Sequence, residues 1–397
     1  MFVMIDRLSS FYNNLNMLYM TLMMASPMVV MMIVAMPDMF PSRRLNMLLL
    51  LGSAVAFFGS FGLIRTQTTI DDTAFLRSMI PHHSGAILMC EQASLSDADA
   101  ERFMIEFAKN PNVDKIEPNR RVHALFGPND TSYANQWSLT NATGGMNMPQ
   151  AWDIATGSGV VVAVIDTGIT PHSDLSGQTI GGYDFISSAT VARDGNGRDS
   201  NPNDEGDWFS AADCGVGYSS NSSWHGTHVA GTIAAVTNNA KGVAGVAYNA
   251  KVEPVRVLGR CGGSIADIAD AIIWASGGSV AGVPANPNPA KVINMSLGGS
   301  GACSSTEQSA INSARSRGTV VVVAAGNDNV NVSNADPANC NGVIAVAATT
   351  KAGSRASYSN YGALIDVAAP GGDGLGGTGD ILSTLNSGTT TQSTETY

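Results

Sequence analysis

Five stretches of this chain are rich in valine, isoleucine and alanine: residues 159–166, 251–258, 291–297, 319–327 and 343–350. The first, Gly159-Val160-Val161-Val162-Ala163-Val164-Ile165-Asp166, is apolar without interruption until it ends in an acid. Between the runs lie segments with helical patterning, residues 226–236, 264–276 and 304–317, the last closed by Gly318. A strand that is apolar on both faces must be covered on both faces. Apolar strands alternating with helices therefore predict an α/β fold, a parallel sheet with helices on both faces. In such sheets the site lies beyond the carboxyl ends of the strands. Asp166, Ser296 and Asn327 all fall there.

A histidine completes the chemistry. In Ser222-Ser223-Trp224-His225-Gly226-Thr227-His228-Val229-Ala230-Gly231-Thr232, His225 stands where a loop turns into a helix of small residues. Taken singly, Asp166 reads as a turn cap and His225 as a packed ring. Taken together they suit a base whose Nδ1–H is held by a carboxylate, so that Nε2 can take a proton from a nucleophile. Gly226, Ala230 and Gly231 keep the helix slim, so strands and substrate can come close. His228 faces the same side and reads as structural, because one base suffices for proton transfer.

Val164-Ile165-Asp166-Thr167-Gly168-Ile169, followed by His225-Gly226-Thr227-His228-Val229-Ala230-Gly231-Thr232, resembles the Asp and His motifs of the subtilisin-like serine peptidases. The resemblance spans residues 135–397 and implies that family's sheet and activity, hydrolysis of peptide bonds in a protein or peptide substrate. It makes Asp166 the orienting acid and His225 the base. Ala324-Ala325-Gly326-Asn327 is similar to the family's oxyanion segment, which makes the Asn327 side chain a donor to the tetrahedral oxyanion. Leu258-Gly259-Arg260 and Ser296-Leu297-Gly298-Gly299 match the two edges between which a peptide lies as an added strand. Leu258, Gly259, Ser296, Leu297, Gly298, Ala325 and Gly326 are thus the expected substrate contacts, with the glycines leaving room for the peptide backbone.

The family's nucleophile motif, Gly-Thr-Ser-Met-Ala-x-Pro, has no counterpart here. Ser333, Ser354, Ser357, Ser359, Ser383, Ser387 and Ser393 follow Asn327, and none precedes Met-Ala. Residues 379–384 resemble the family's last strand before that motif, so the chain is expected to stop just short of it. As written it should be inactive, with an apolar face exposed where the nucleophile's helix belongs. A non-catalytic peptide-binding module is the alternative.

The formal net charge of −11 and the lack of a basic stripe exclude nucleic acid as a partner. Cys214, Cys261, Cys303 and Cys340 form an even set, which suits two disulfides and an oxidising compartment. Cys214 with Cys261 and Cys303 with Cys340 is the favoured pairing, and sequence leaves the others open. Residues 193–207 are rich in oxygen ligands. They fail as an EF-hand, because Arg198 and Asp199 occupy the fifth and sixth positions. A calcium site of another shape, built from Asp194, Asp199, Asp204 and Asp207, is expected on equal terms with a solvated loop. No cofactor is required for the chemistry.

The first hundred residues have another character. Residues 15–36 and 45–64 carry no charge, and each is long enough to cross a bilayer core of about 30 Å as a helix. Arg43 and Arg44 in the connecting loop place it on the cytoplasmic side, so residues 1–70 form a two-helix transmembrane segment with both ends outside. The peptidase domain is then periplasmic or extracellular. Residues 71–97, with Met79-Ile80-Pro81-His82-His83-Ser84-Gly85-Ala86-Ile87, resemble part of a bacterial family of His-containing helical domains of unknown function. His82, His83, Met89 and Cys90 could ligate a soft metal such as copper, which makes a membrane metal-handling protein a further alternative. Residues 98–125, with Asn110-Pro111-Asn112-Val113-Asp114-Lys115-Ile116-Glu117-Pro118, resemble the tail of the inhibitory propeptide that precedes subtilisin-like peptidases.

Overall fold

A computed structural model describes residues 15–36, 39–40, 42–66, 105, 127–375 and 377–397. The chain divides into two compact units, Met1–Arg121 and Val122–Tyr397. His82, His83, Met89 and Cys90 lie outside the described residues, as do nearly all of residues 71–125.

In the first unit, helices α1 (Leu15–Ala35) and α2 (Arg43–Thr66) pack against each other. Ser26, Ile33 and Ser60 are buried, while Met28, Met31, Val34, Leu48, Leu51, Val55 and Phe58 point outward. A helix that is apolar all round belongs in a core or a membrane. The two expected spans are unequal. Arg43–Leu63 is long and apolar enough to cross a bilayer, whereas the apolar stretch Thr21–Ala35 is shorter.

The second unit is built on a seven-stranded sheet. Its strands are β1 (Val161–Asp166), β2 (Tyr183–Asp184), β3 (Lys251–Arg256), β4 (Val292–Met295), β6 (Val320–Ala324), β8 (Ile344–Thr349) and β9 (Val367–Pro370). They lie in the order β2-β3-β1-β4-β6-β8-β9, and every pairing is parallel. Val162 of β1 is in register with Val252 on one side and Val292 on the other. Two antiparallel pairs stand apart: β5 (Gly299–Ser300) with β7 (Ala335–Asp336), and β10 (Leu385–Asn386) with β11 (Glu395–Thr396).

Alternation along β1 sends side chains to two different cores. Ala163 and Ile165 join the larger one, built with helices α4 (Ile265–Ala275) and α5 (Ser305–Ser316) through Ile268, Ile272, Trp274 and Ile311. Val164 joins Leu175, Val252, Ala230 and Ala234 beneath helix α3 (His225–Ala234). Helices therefore cover both faces around β1 and β3. Toward the other edge they do not. Val321, Val323 and Ala345 are buried under α5, but Val320, Ile344 and Val367, on β6, β8 and β9, are 44%, 36% and 49% exposed. A groove of about 360 Å³ runs along this side, lined by Asn294, Val322, Val346, Ala348 and Ala369 and reaching Ser296 and Asn327.

All five apolar runs are strands and all three patterned segments are helices. Ser264 and Ser304 cap α4 and α5, accepting hydrogen bonds from the amides of Asp267 and Glu307, both at 3.1 Å. Residues 379–384 depart from expectation, because they form no strand of the sheet. They lie instead along α3. Ser383 Oγ donates to the His228 carbonyl at 2.7 Å and Thr384 Oγ1 to the Thr227 carbonyl at 2.8 Å. Side-chain bonds to a helix have replaced backbone bonds to a neighbouring strand.

Candidate active site

Asp166 ends β1 with its side chain fully buried, and His225 opens α3 with its side chain 44% exposed. His225 Nδ1 lies 2.8 Å from Asp166 Oδ1 and 3.0 Å from Oδ2. The Thr167 amide also donates to Oδ1, at 2.8 Å. A carboxylate with those partners holds Nδ1–H and leaves Nε2 for proton transfer. Burial works against the imidazolium form of His225. The hydrogen bond and charge of Asp166, with the charges of Asp207 and Asp204, outweigh it and raise the ring above the ordinary 6.5.

The loop side of this pair is braced by a group that sequence assigned elsewhere. Asp204 Oδ2 accepts from Thr167 Oγ1 at 2.7 Å, and Thr167 Oγ1 accepts from the Gly226 amide at 2.9 Å. Burial pushes Asp204 up to about 7, against the hydrogen bonds from Thr167 and Gly206. Gly226 itself admits no side chain, since a Cβ there would come within 2.2 Å of the Gly168 carbonyl. His228 bonds the Ile381 carbonyl through Nε2 at 3.1 Å, and its burial lowers its pKa. It serves the packing of α3, as its sequence position suggested.

The other expected groups meet in a second place. Leu258, Ser296, Leu297, Gly298, Ala325, Gly326 and Asn327 line one cavity of about 670 Å³. Gly259 stands behind it, where a Cβ would fall 2.4 Å from the Val191 carbonyl. Gly298 likewise faces the Asp336 carbonyl, at 2.9 Å from a built Cβ. These two glycines answer to the protein's own backbone rather than to a substrate. Gly299 alone of the three faces open space.

Asn327 is exposed, and its setting comes from a residue that sequence did not flag. Asn360 is fully buried. Its Nδ2 donates to the Ala325 carbonyl at 2.8 Å, and its Oδ1 accepts from the amides of Asp328 and Val330 at 3.1 and 3.0 Å. Gly326, at φ +101°, is pressed against that amide, a conformation only glycine adopts readily. A lone asparagine carries no periodic signal, so nothing in the pattern singled Asn360 out.

The disulfides are Cys214–Cys261 and Cys303–Cys340, with Cα separations of 5.5 and 5.1 Å. The first ties the Phe209–Ser220 bridge region to the edge that carries Leu258, and the second ties the loop before α5 to the chain after β7.

The four carboxylates expected to hold calcium do not converge. Asp194 faces Arg256 at 3.5 Å and Asp199 accepts from Asn196 at 2.8 Å. Asp204 is bound to Thr167 and Asp207 to Ser223. Each oxygen-rich residue is spent on making the loop. Among the described residues, the one group of three acidic, His or Cys side chains close enough to share an ion is Cys303, Asp336 and Cys340, and its cysteines are bonded to each other.

The family model described as Subtilase family matches residues 157–397. An extracellular protease of Xanthomonas campestris is 62% identical over 314 residues, covering 79% of this chain and 53% of that protein. An extracellular basic protease of Dichelobacter nodosus is 52% identical over 297 residues, covering 73% and 48%. The chain thus spans about half the length of these curated relatives. Among solved structures, a protease of Pseudoalteromonas arctica aligns with a TM-score of 0.67 at 64% identity, over 68% of this chain and 80% of that one.

Proposed function

The chain belongs to the subtilase family, and from that premise we propose that it forms the base-and-oxyanion part of a serine endopeptidase acting on proteins or peptides. The observation that carries the reading is the Asp166–His225 pair at the carboxyl end of β1, with Nδ1 committed and the ring still reachable. In the whole enzyme a serine hydroxyl would attack the peptide carbonyl carbon and give its proton to His225 Nε2. Asp166 would stabilise the imidazolium, and the Asn327 amide would donate to the oxyanion. The imidazolium would then protonate the leaving amine, and water would repeat the sequence on the acyl-enzyme.

The nucleophile is not among these 397 residues in its usual motif. We assign its helix to the uncovered groove along β4, β6, β8 and β9, where Val322, Val346, Ala348 and Ala369 stand beside Asn294, Ser296 and Asn327. The chain as it stands would then bind peptides without hydrolysing them. We also take α2, alone or with α1, as a membrane anchor that leaves the peptidase unit outside the cytoplasm, which suits its two disulfides. Residues 98–125 then act as a propeptide remnant.

The purified chain, assayed on a chromogenic peptide amide beside its His225→Ala variant, should show no His225-dependent turnover. Turnover abolished by His225→Ala would sink the inactivity claim. NMR titration tests the pair without needing catalysis. His225 should titrate above 6.5, and Asp166→Asn should bring it down. A titration indifferent to Asp166 would break the catalytic reading. In the complete enzyme, activity should disappear as pH falls through that raised value, because the base must be neutral.

A further inference from the structure

The first amides of a helix have no partner within it. A cap residue often supplies one through its side chain, but the residue before α3 is Trp224, held at φ 51° with an indole that can only donate. Its carbonyl takes the Thr227 and His228 amides at 3.1 and 3.2 Å. Two hydroxyls from outside the helix take the amides that remain. Gly226 donates to Thr167 Oγ1 at 2.9 Å, and His225 to Ser223 Oγ at 3.3 Å. Each hydroxyl in turn donates to a carboxylate, Thr167 Oγ1 to Asp204 Oδ2 at 2.7 Å and Ser223 Oγ to Asp207 Oδ2 at 2.8 Å. The two acids stand three residues apart in one loop. Asp207 Oδ1 also accepts from the Ser223 amide at 2.6 Å, so its carboxylate grips Ser223 with both oxygens. Closing the excursion from 207 to 223 accounts for the bond to that amide, beside the Phe209–Ser220 bridge. It does not account for the Ser223 hydroxyl, which receives the amide of His225 itself.

We propose that Asp207 and Ser223 are positioning residues for His225, a clasp that holds the backbone from which the ring reaches Asp166. It is the counterpart of the Asp204–Thr167 brace on the next amide. The proposal rests on the peptidase reading of the Asp166–His225 pair. A hydroxyl that accepts from an amide and donates to a carboxylate is polarised at both ends, which strengthens both bonds. Two carboxylates behind the start of α3 also place negative charge where a helix favours it. Among the described residues, the charged and titratable groups acting on the ring are Asp166 from β1, Asp204 and Asp207 from the loop and His228 from α3. Asp166 bonds the ring directly, and the charge of Asp207 favours its imidazolium form from behind. Asp207 therefore acts on the base twice, through the backbone by way of Ser223 and through space by its charge.

The test is an NMR titration of His225 in the full chain, with the downfield Nδ1–H signal of the imidazolium as a second reading. Asp207→Asn keeps an acceptor for the Ser223 amide and removes the charge. Ser223→Ala removes the hydroxyl, and Ser223 is exposed, so its variants leave the fold intact. Asp207→Asn should lower the His225 midpoint, by less than Asp166→Asn lowers it. Ser223→Ala should displace the Nδ1–H signal and speed exchange of the His225 amide about tenfold. Ser223→Thr returns the hydroxyl and should restore both. Variants that lower the melting temperature but leave the midpoint and the Nδ1–H signal unmoved reduce the clasp to loop closure and overturn the proposal. An effect of Ser223→Ala that Ser223→Thr does not restore also overturns it. If Asp166→Asn alone moves the midpoint, the clasp falls and the peptidase reading stands. If Asp166→Asn does not move it either, both fall.

Discussion

The two halves of the central sheet are built from similar sequence and meet different fates. In β1 and β4, Ile165 and Ile293 are fully buried, and β1 has α3 on one side and α4 on the other. In β6 and β8, residues facing α5 are buried, while Val320 and Ile344 on the opposite side are exposed. Yet Val320-Val321-Val322-Val323-Ala324 is as continuously apolar as β1. An unbroken apolar strand records a demand for cover on both faces. It does not record which element supplies the cover. The difference between the halves therefore marks an exposed sheet face beside Asn327, the face to which the nucleophile's helix is assigned in the proposal above.

Substitution should separate the halves. Ile293→Ala, in the covered half, should cost about 2–5 kcal/mol of unfolding free energy, because transfer and cavity terms add. Ile344→Ala should cost about 1 kcal/mol or less, since part of that side chain already meets solvent. Paired denaturant melts read both, and equal costs would erase the comparison. Asn360→Ala, at the boundary, should cost about 1–3 kcal/mol, because the Ala325 carbonyl and the Asp328 and Val330 amides all lose their partner. Hydrogen exchange at Asp328 and Val330 should rise while the His225 titration stays put. If His225 shifts instead, the two parts of the site are coupled.

A pH test probes the covered half. Glu253, fully buried on β3, is pushed up to about 7 by burial despite hydrogen bonds from Asn286 and Asn288. Its folded pKa exceeds the unfolded value near 4.5. The folded state therefore binds the extra proton, and stability present below about pH 4.5 falls as pH rises through 7. Glu253→Gln should flatten that decline, and melts at several pH values check it. The smallest expected effect is Val367→Thr on the open edge, within about 0.5 kcal/mol, with weaker binding of a hydrophobic dye. A loss as large as that of Ile293→Ala would mean the edge is covered after all.

Sequence disclosed whatever repeats or has fixed chemistry. Five strands and three helices followed from apolar periodicity, and Asp166, His225 and the lining of the cleft from motif. The short or marginal elements escaped. Strand β2 has two residues, and β9, Val367-Ala368-Ala369-Pro370, is a small-residue edge ending in proline, too weak a pattern to call a strand. Residues 379–384 resemble a strand of the family, but the hydroxyls of Ser383 and Thr384 bond α3 instead. The acids of residues 193–207 illustrate the same limit. Asp and Asn make turns by the groups they would use for a cation, and only geometry tells one use from the other.

The residue just before His225 carries one further consequence. Trp224 is buried with its backbone at φ 51°, and its indole nitrogen donates to the Gly388 carbonyl at 2.6 Å, across 164 residues of chain. Ser222 reaches the same late segment through the Thr389 and Thr390 carbonyls. Contacts so distant along the chain are closed late, because the entropy of the intervening loop must be given up first. The loop that presents His225 to Asp166 is thus closed by residues far along the chain, so its backbone is complete only once that late segment has been laid against it.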